Sequence, residues 1–363
     1  MKNNFFFNYT NFIFLISILA YLFLILGWYY KPPWMIDHLI YVHLANPENL
    51  IDLNFWHDSG VSVKEGHHTE RWGVLIPLIV SNKLLFFLDP GQASTVMHVI
   101  VYLLIFSFIF FTLVRQNPLS AYIFAILFVF GIHHTKNRAT EVLADPYSIL
   151  YLSIITYLLL ALNQRNQKLI MTLVGLFFIF LAFTKIHYIL FLLLFLIIFY
   201  REFFFNLKYF IFGCILAITS MELFLIFFLE YKIFIQFNIN TINVLIGYVY
   251  GGLGVGDGPG NSGWSFEWVK LLASQTFLPF TFLVGLIYIC LQKFKLENIY
   301  AWYSFFFTCI IIFLASLSNF PANDSYAYPI YIFIIPTISV LLANLRPVNF
   351  NKNFYLLSIF LIT

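Results

Sequence analysis

The chain has 363 residues, 61% of them hydrophobic and only 10% charged, with a formal net charge of +3 and a mean hydropathy of +0.88. A soluble domain carries roughly 25% charged residues. This composition cannot cover a water-facing surface, and it excludes a soluble enzyme or a nucleic-acid-binding module.

Backbone polar groups in lipid must pair internally, and long apolar runs without alternation select helices over a barrel. The expected fold is therefore all-α: one polytopic domain, residues 1–363, crossing the bilayer about ten or eleven times. The three cysteines, Cys214, Cys290 and Cys309, lie inside apolar runs. That placement argues against a disulfide framework or a thiolate metal site.

In chain order, Lys2 precedes an apolar run over 10–30 with no small-residue cleavage site after it. It reads as a retained first span rather than a removed signal peptide. Further spans are expected at 94–114, 118–135, 145–162, 168–184, 186–200, 207–229, 275–292, 300–318 and 327–344. A last apolar run, 354–363, is too short to cross. The short loops carry Arg115, Arg165, Lys168, Arg201, Lys208, Lys293, Lys295 and Arg346 on one side. Most acids, including Asp37, Glu70, Glu141, Asp145, Asp257 and Asp324, fall on the other. The positive-inside rule then places the N-terminus in the cytoplasm. The run 72–88 carries Pro77, Ser81, Asn82 and Lys83. If it spanned, every later basic loop would swap sides, so it is expected to lie on or dip into the outer interface. Two outside loops are long, 31–93 and 230–274, which puts function on the outer face.

The first long loop opens with KPPWMIDHLIYVHLA, in which Asp37, Tyr41 and Ala45 share helical spacing. Asp37 reads either as a capping or solvated carboxylate, or as one within reach of a lipid phosphate. The loop closes with HHTERWGVLIPL, which packs His67, His68, Glu70 and Arg71 together. His68 and Glu70 are the candidates for a divalent metal, against the alternative of a polar loop. Arg71 pairs with phosphate or snorkels to headgroups. In KNRATEVLADPYSILYL, Arg138, Glu141 and Asp145 fall three and four apart. Asp145 before Pro146 reads equally as an N-cap and as a site residue. Lys185 stands with His187 at the outer boundary, either pairing with phosphate or snorkelling. Glu222 lies inside a span and is expected to face the protein interior. Gly251–Gly263 reads as an outside loop, a candidate lid. Asn323, Asp324, Tyr326 and Tyr328 end on the same face.

The order of these features resembles the GT-C membrane glycosyltransferases, in particular the protein O-mannosyltransferases and the lipid A aminoarabinose transferases. The matching residues are Asp37, Tyr41 and Ala45, then Glu70, Arg71 and Pro77, then Asp145, then Tyr328 through Pro336. The likeness runs over about residues 10–345 on short motifs. It departs at His38, where many relatives carry a second acid, and the mannosyltransferases' soluble lumenal domain is missing.

The resemblance implies transfer of a sugar from a polyprenyl-phosphate donor to a lipid, glycan or protein acceptor on the outer face, with inversion. Asp37 would be the general base. Arg71, Arg138 and Lys185 would hold the phosphate. Tyr41, Glu70, Glu141, Asp145 and Tyr328 would bind the sugar, with a divalent metal as a possible cofactor. A bacterial inner membrane is the expected location, and no nucleic-acid partner is expected. The alternatives are a lipid-linked sugar flippase or transporter, and an O-antigen polymerase or ligase. The lack of a visible internal repeat and the early position of the long loop weigh against these.

Overall fold

The computed structural model describes residues 2–28, 41–45, 71–131, 143–160, 166–228, 299–316 and 328–344, with short stretches between 231 and 242. The described residues are all-helical, with no strand among them. The expected span 275–292 and the last apolar run 354–363 lie outside them, as does most of both long loops.

Among the described residues the main α-helices are, in order, α1 (Lys2–Trp28), α2 (Trp72–Leu84), α3 (Pro90–Gln116), α4 (Pro118–Ile126), α5 (Ala144–Leu160), α6 (Gln167–Ala182), α7 (Phe191–Ile198), α8 (Tyr200–Phe228), α9 (Ile299–Ser316) and α10 (Tyr328–Asn344). A π-turn, Leu127–Gly131, extends α4, and a 3-10 turn, Ile186–Leu190, leads into α7. The helices fall on the apolar runs. Residues 90–116 and 200–227 are long and apolar enough to cross a membrane. At 1.5 Å per residue α3 is about 40 Å long, more than the roughly 30 Å hydrocarbon core. Apart from the 27-residue α1, the remaining helices have 18 residues or fewer.

Two starts are set by the same local chemistry. Asp89 caps α3, its side chain accepting from Gln92 N at 2.9 Å, with Pro90 in the first helical turn. Asn117 caps α4, accepting from Leu119 N at 3.0 Å ahead of Pro118. Each cap satisfies an amide that the helix itself cannot, and proline forfeits no bond there. Asn117 alone therefore turns the chain between α3 and α4. Asn166 starts α6 from a left-handed backbone at φ 55°, a conformation asparagine tolerates better than most residues.

Ring contacts fix the helix directions. His98 meets Tyr147 and Phe108 meets Tyr157, so α3 and α5 run parallel. Thr10 bonds Tyr122 and Tyr21 packs on Phe128, so α1 runs parallel to α4. Lys168 lies by Tyr209, and Gly175 meets Phe210 and Cys214, so α6 and α8 are parallel. The turn Ile186–Leu190 and α7 must carry the chain back between them. The core between these helices is aromatic, with Phe106, Phe110, Phe124 and Phe128 all buried and Phe106 in ring contact with each of the other three. Many exposed side chains are apolar too, including Phe204, Phe205, Phe212 and Phe227 on α8. This is the inversion of polarity that suits a lipid surround.

The bundle's two ends differ in chemistry. One end gathers the starts of α3 and α5 and the close of α6. The run 72–88, expected at an interface, forms α2 across this end. Gly73 N donates to Phe183 O at 3.1 Å, and Ser81 donates to Ala93 O at 2.7 Å. Both ends of α2 are thus tied to the same end of the bundle. Its underside is buried through Val74, Leu75, Leu78 and Ile79, while Leu84 at its end and Phe86 and Phe87 beyond it are exposed. The opposite end carries basic residues set on aromatic rings: Arg115 on Tyr157, Lys168 and Lys208 on Tyr209, and Arg201 on Tyr200.

Candidate functional site at one end of the bundle

The polar groups of the α2 end start from a tight backbone arrangement. Lys185 has extended backbone and precedes the 3-10 turn, and Tyr188 N donates to Lys185 O at 2.9 Å. Residues three apart eclipse in a 3-10 turn, so Lys185 and Tyr188 face the same way. Asp145 sits in the first turn of α5, which begins one residue earlier at Ala144. There its charge is favoured by the helix dipole.

The three side chains meet. Lys185 Nζ donates to Asp145 Oδ1 at 2.8 Å and Oδ2 at 2.9 Å, and Tyr188 OH donates to Oδ1 at 2.6 Å. Asp145 is 2% exposed and the Lys185 side chain 8%. Two charges this deep are tolerated because each is paired and the carboxylate gains a third donor. Asp145 was expected as an N-cap or as a site residue. The side chain turns away from its own helix and holds the Lys185 ammonium.

A second pair stands beside the first. Arg71 Nη1 donates to the Tyr41 hydroxyl. Residues 41–45 form a helical turn, with Ala45 N donating to Tyr41 O at 2.9 Å, and both residues are buried. Tyr41 and Ala45 thus keep the helical spacing expected of them. Arg71 immediately precedes α2 and lies two residues from Gly73, as Lys185 lies two from Phe183. Each cation thus lies two residues along the chain from the Gly73–Phe183 backbone bond. Trp72 stacks on Phe183 with centroids 5.1 Å apart, and Tyr151 OH donates to Gly73 O at 2.7 Å. A Cβ on Gly73 would collide with Phe180 O and Thr184, so only glycine allows α2 to approach α6 this closely.

The described residues therefore bring together four of the expected site residues, as Arg71 with Tyr41 and Lys185 with Asp145. Tyr328 opens α10. Asp37, His68, Glu70, Arg138 and Glu141 lie outside the described residues, as do His67, Asn323, Asp324, Tyr326 and Gly251–Gly263. Among the described residues no group of three His, Cys, Asp or Glu is placed to hold a metal ion. Glu222 gains a partner in Asn238, whose amide donates to Oε2 at 3.3 Å.

Sequence reasoning passed over four residues at this end. Tyr188 completes the Asp145 cluster. Ser94, His98 and Tyr147 are all fully buried nearby. The available signal was His98, an ionisable residue inside an apolar run, which marks a functional candidate by default.

Chemically, the arrangement offers two cations at one end of an apolar bundle. The guanidinium is oriented by a neutral phenol and the ammonium by a carboxylate. Such a pair suits an anionic oxygen cluster such as a phosphate. Comparison with family models, with curated proteins and with solved structures gives no match.

Proposed function

We propose that the chain is a polytopic membrane glycosyltransferase of the GT-C kind. It transfers a glycosyl unit from a polyprenyl-phosphate donor to a lipid, glycan or protein acceptor at the outer face of a bacterial inner membrane. The observation that carries this reading is the assembly of Arg71–Tyr41 and Lys185–Asp145–Tyr188 at one end of an apolar helical bundle. A polyprenyl-phosphate donor places its phosphate at headgroup level, where such cations meet it. The basic–aromatic pairs at the opposite end support that end as the cytoplasmic one.

In the proposed reaction an acceptor hydroxyl oxygen attacks the anomeric carbon. The bond from that carbon to the phosphate oxygen breaks, and the phosphate leaves with the electron pair. Asp37 takes the acceptor proton. Arg71, Arg138 and Lys185 stabilise the charge that grows on the leaving phosphate. Tyr41, Glu70, Glu141 and Tyr328 orient the sugar. Asp145 positions the Lys185 ammonium, since two donors already occupy its carboxylate. His68 and Glu70 are the residues toward which a divalent ion would be sought, and no step is assigned to it.

The test is transfer of radiolabel from a panel of polyprenyl-phosphate sugars by purified wild type and by Asp37→Asn. Transfer by wild type, with loss of at least about a hundredfold in the variant, supports the reading and its base. Full activity in a folded Asp37→Asn removes Asp37 from the mechanism, and no transfer by wild type with any donor removes the transferase.

A further inference from the structure

Hydroxyl groups inside this bundle mostly satisfy themselves. Ser107, Thr112, Ser153, Thr156, Thr337 and Ser339 each bond the carbonyl four residues back. The tyrosines around the Asp145 cluster have partners too: Tyr41 with Arg71, Tyr151 with Gly73 O, and Tyr188 with Asp145. Two groups at the same end break this pattern. Ser94 Oγ and the Tyr147 hydroxyl are each buried without a hydrogen-bond partner, in residues of 0% exposure.

They belong to one place. Ser94 lies one helical turn from His98 on the same face of α3, and His98 meets Tyr147 across to α5 with ring centroids 5.9 Å apart. Tyr147 lies close to Tyr41, which Arg71 bonds, and to Tyr151, which bonds Gly73 O. This neutral cluster therefore adjoins the charged one. Burying a hydroxyl with no partner is unfavourable. Two such groups, linked through His98 beside a cationic site, suit a ligand that brings its own donors and acceptors and carries no charge at that point.

We propose that Ser94, His98 and Tyr147 form a subsite for the hydroxyls of the transferred sugar, adjoining the Arg71 and Lys185 phosphate site. This rests on the transferase reading for the identity of the ligand. The phosphate is drawn to the cations, and the sugar attached to it meets the hydroxyls and imidazole of α3 and α5.

The experiment compares equilibrium binding of a radiolabelled polyprenyl-phosphate sugar with binding of the bare polyprenyl phosphate, using the full chain in lipid nanodiscs. The panel of sugars is the one used for transfer. Wild type is expected to bind at least one glycosylated carrier more tightly than the bare one. Tyr147→Phe and Ser94→Ala should each reduce that advantage by about tenfold or abolish it, leaving affinity for the bare carrier unchanged. Their melting temperatures should hold or rise, since each removes a buried unsatisfied group; a structural hydroxyl would instead lower them. An advantage that survives both substitutions in folded protein overturns the subsite, as does no preference for any glycosylated carrier. Preferential binding that both variants lose, in a wild type that transfers nothing, keeps the subsite and removes the transferase.

Discussion

Asp145 accepts from both Lys185 and Tyr188 with every group buried, so the cluster links α5 to the segment after α6 through charge. Such a pair contributes little net stability against an apolar replacement, but removal of one member strands the other. Asp145→Leu and Lys185→Met should each cost about 3–5 kcal/mol, read as a fall in melting temperature in detergent. Asp145→Leu with Lys185→Met should recover most of that loss while transfer stays absent. Loss of stability in the double variant equal to the sum of the singles would show that the residues act separately.

The same residue shows what local sequence could and could not reveal. An Asp–Pro pair starts a helix in two places. At Asp89–Pro90 the aspartate caps it. At Asp145–Pro146 the helix begins a residue earlier, and the carboxylate serves Lys185, forty positions away. The dipeptide is identical, so the choice between cap and ion pair lies in the tertiary partner. The helical spacing of Tyr41 and Ala45 was legible because it is local, whereas the Arg71–Tyr41 bond across thirty residues was not.

Among the elements, the close crossings depend on glycines. A Cβ on Gly175 would strike Phe210 O, and one on Gly213 would strike Thr172 O. Small residues let membrane helices approach at the backbone, and α6 with α8 is the most extensive helix pair among the described residues. Gly213→Val should force the two helices apart and destabilise by about 1–3 kcal/mol or more, again read by thermal unfolding. Gly73→Ala acts elsewhere: it lifts the start of α2 from Phe180 and Thr184 and displaces Arg71 relative to Lys185. Transfer should fall more steeply than melting temperature in that variant. Wild-type kcat in Gly73→Ala would show that the α2–α6 seam does not position the cations. Helix existence was legible from hydropathy, because an apolar run in lipid has few alternatives. The crossings were not, because a glycine in an apolar run reads the same whether it faces lipid or another backbone.

At the scale of the whole molecule, two chemically distinct ends emerge from helix directions alone. Asp145, Lys185, Arg71 and α2 share one end, and Arg115, Lys168, Arg201 and Lys208 occupy the other. The sequence pattern of basic short loops anticipated that segregation, since charge placement is a property of loop position. It could not anticipate that α2 would pack its underside into the bundle, since its apolar residues suit an interface equally well.

The measurement that tests the account most directly is transfer from a short-chain, water-soluble prenyl-phosphate sugar added to sealed membrane vesicles of each orientation. Right-side-out vesicles holding wild type should transfer label to acceptor from donor added outside, and inverted vesicles should do so only after permeabilisation. Transfer confined to inverted vesicles would place the reacting end on the cytoplasmic side and contradict the account, and transfer in neither, before or after permeabilisation, would contradict the function itself.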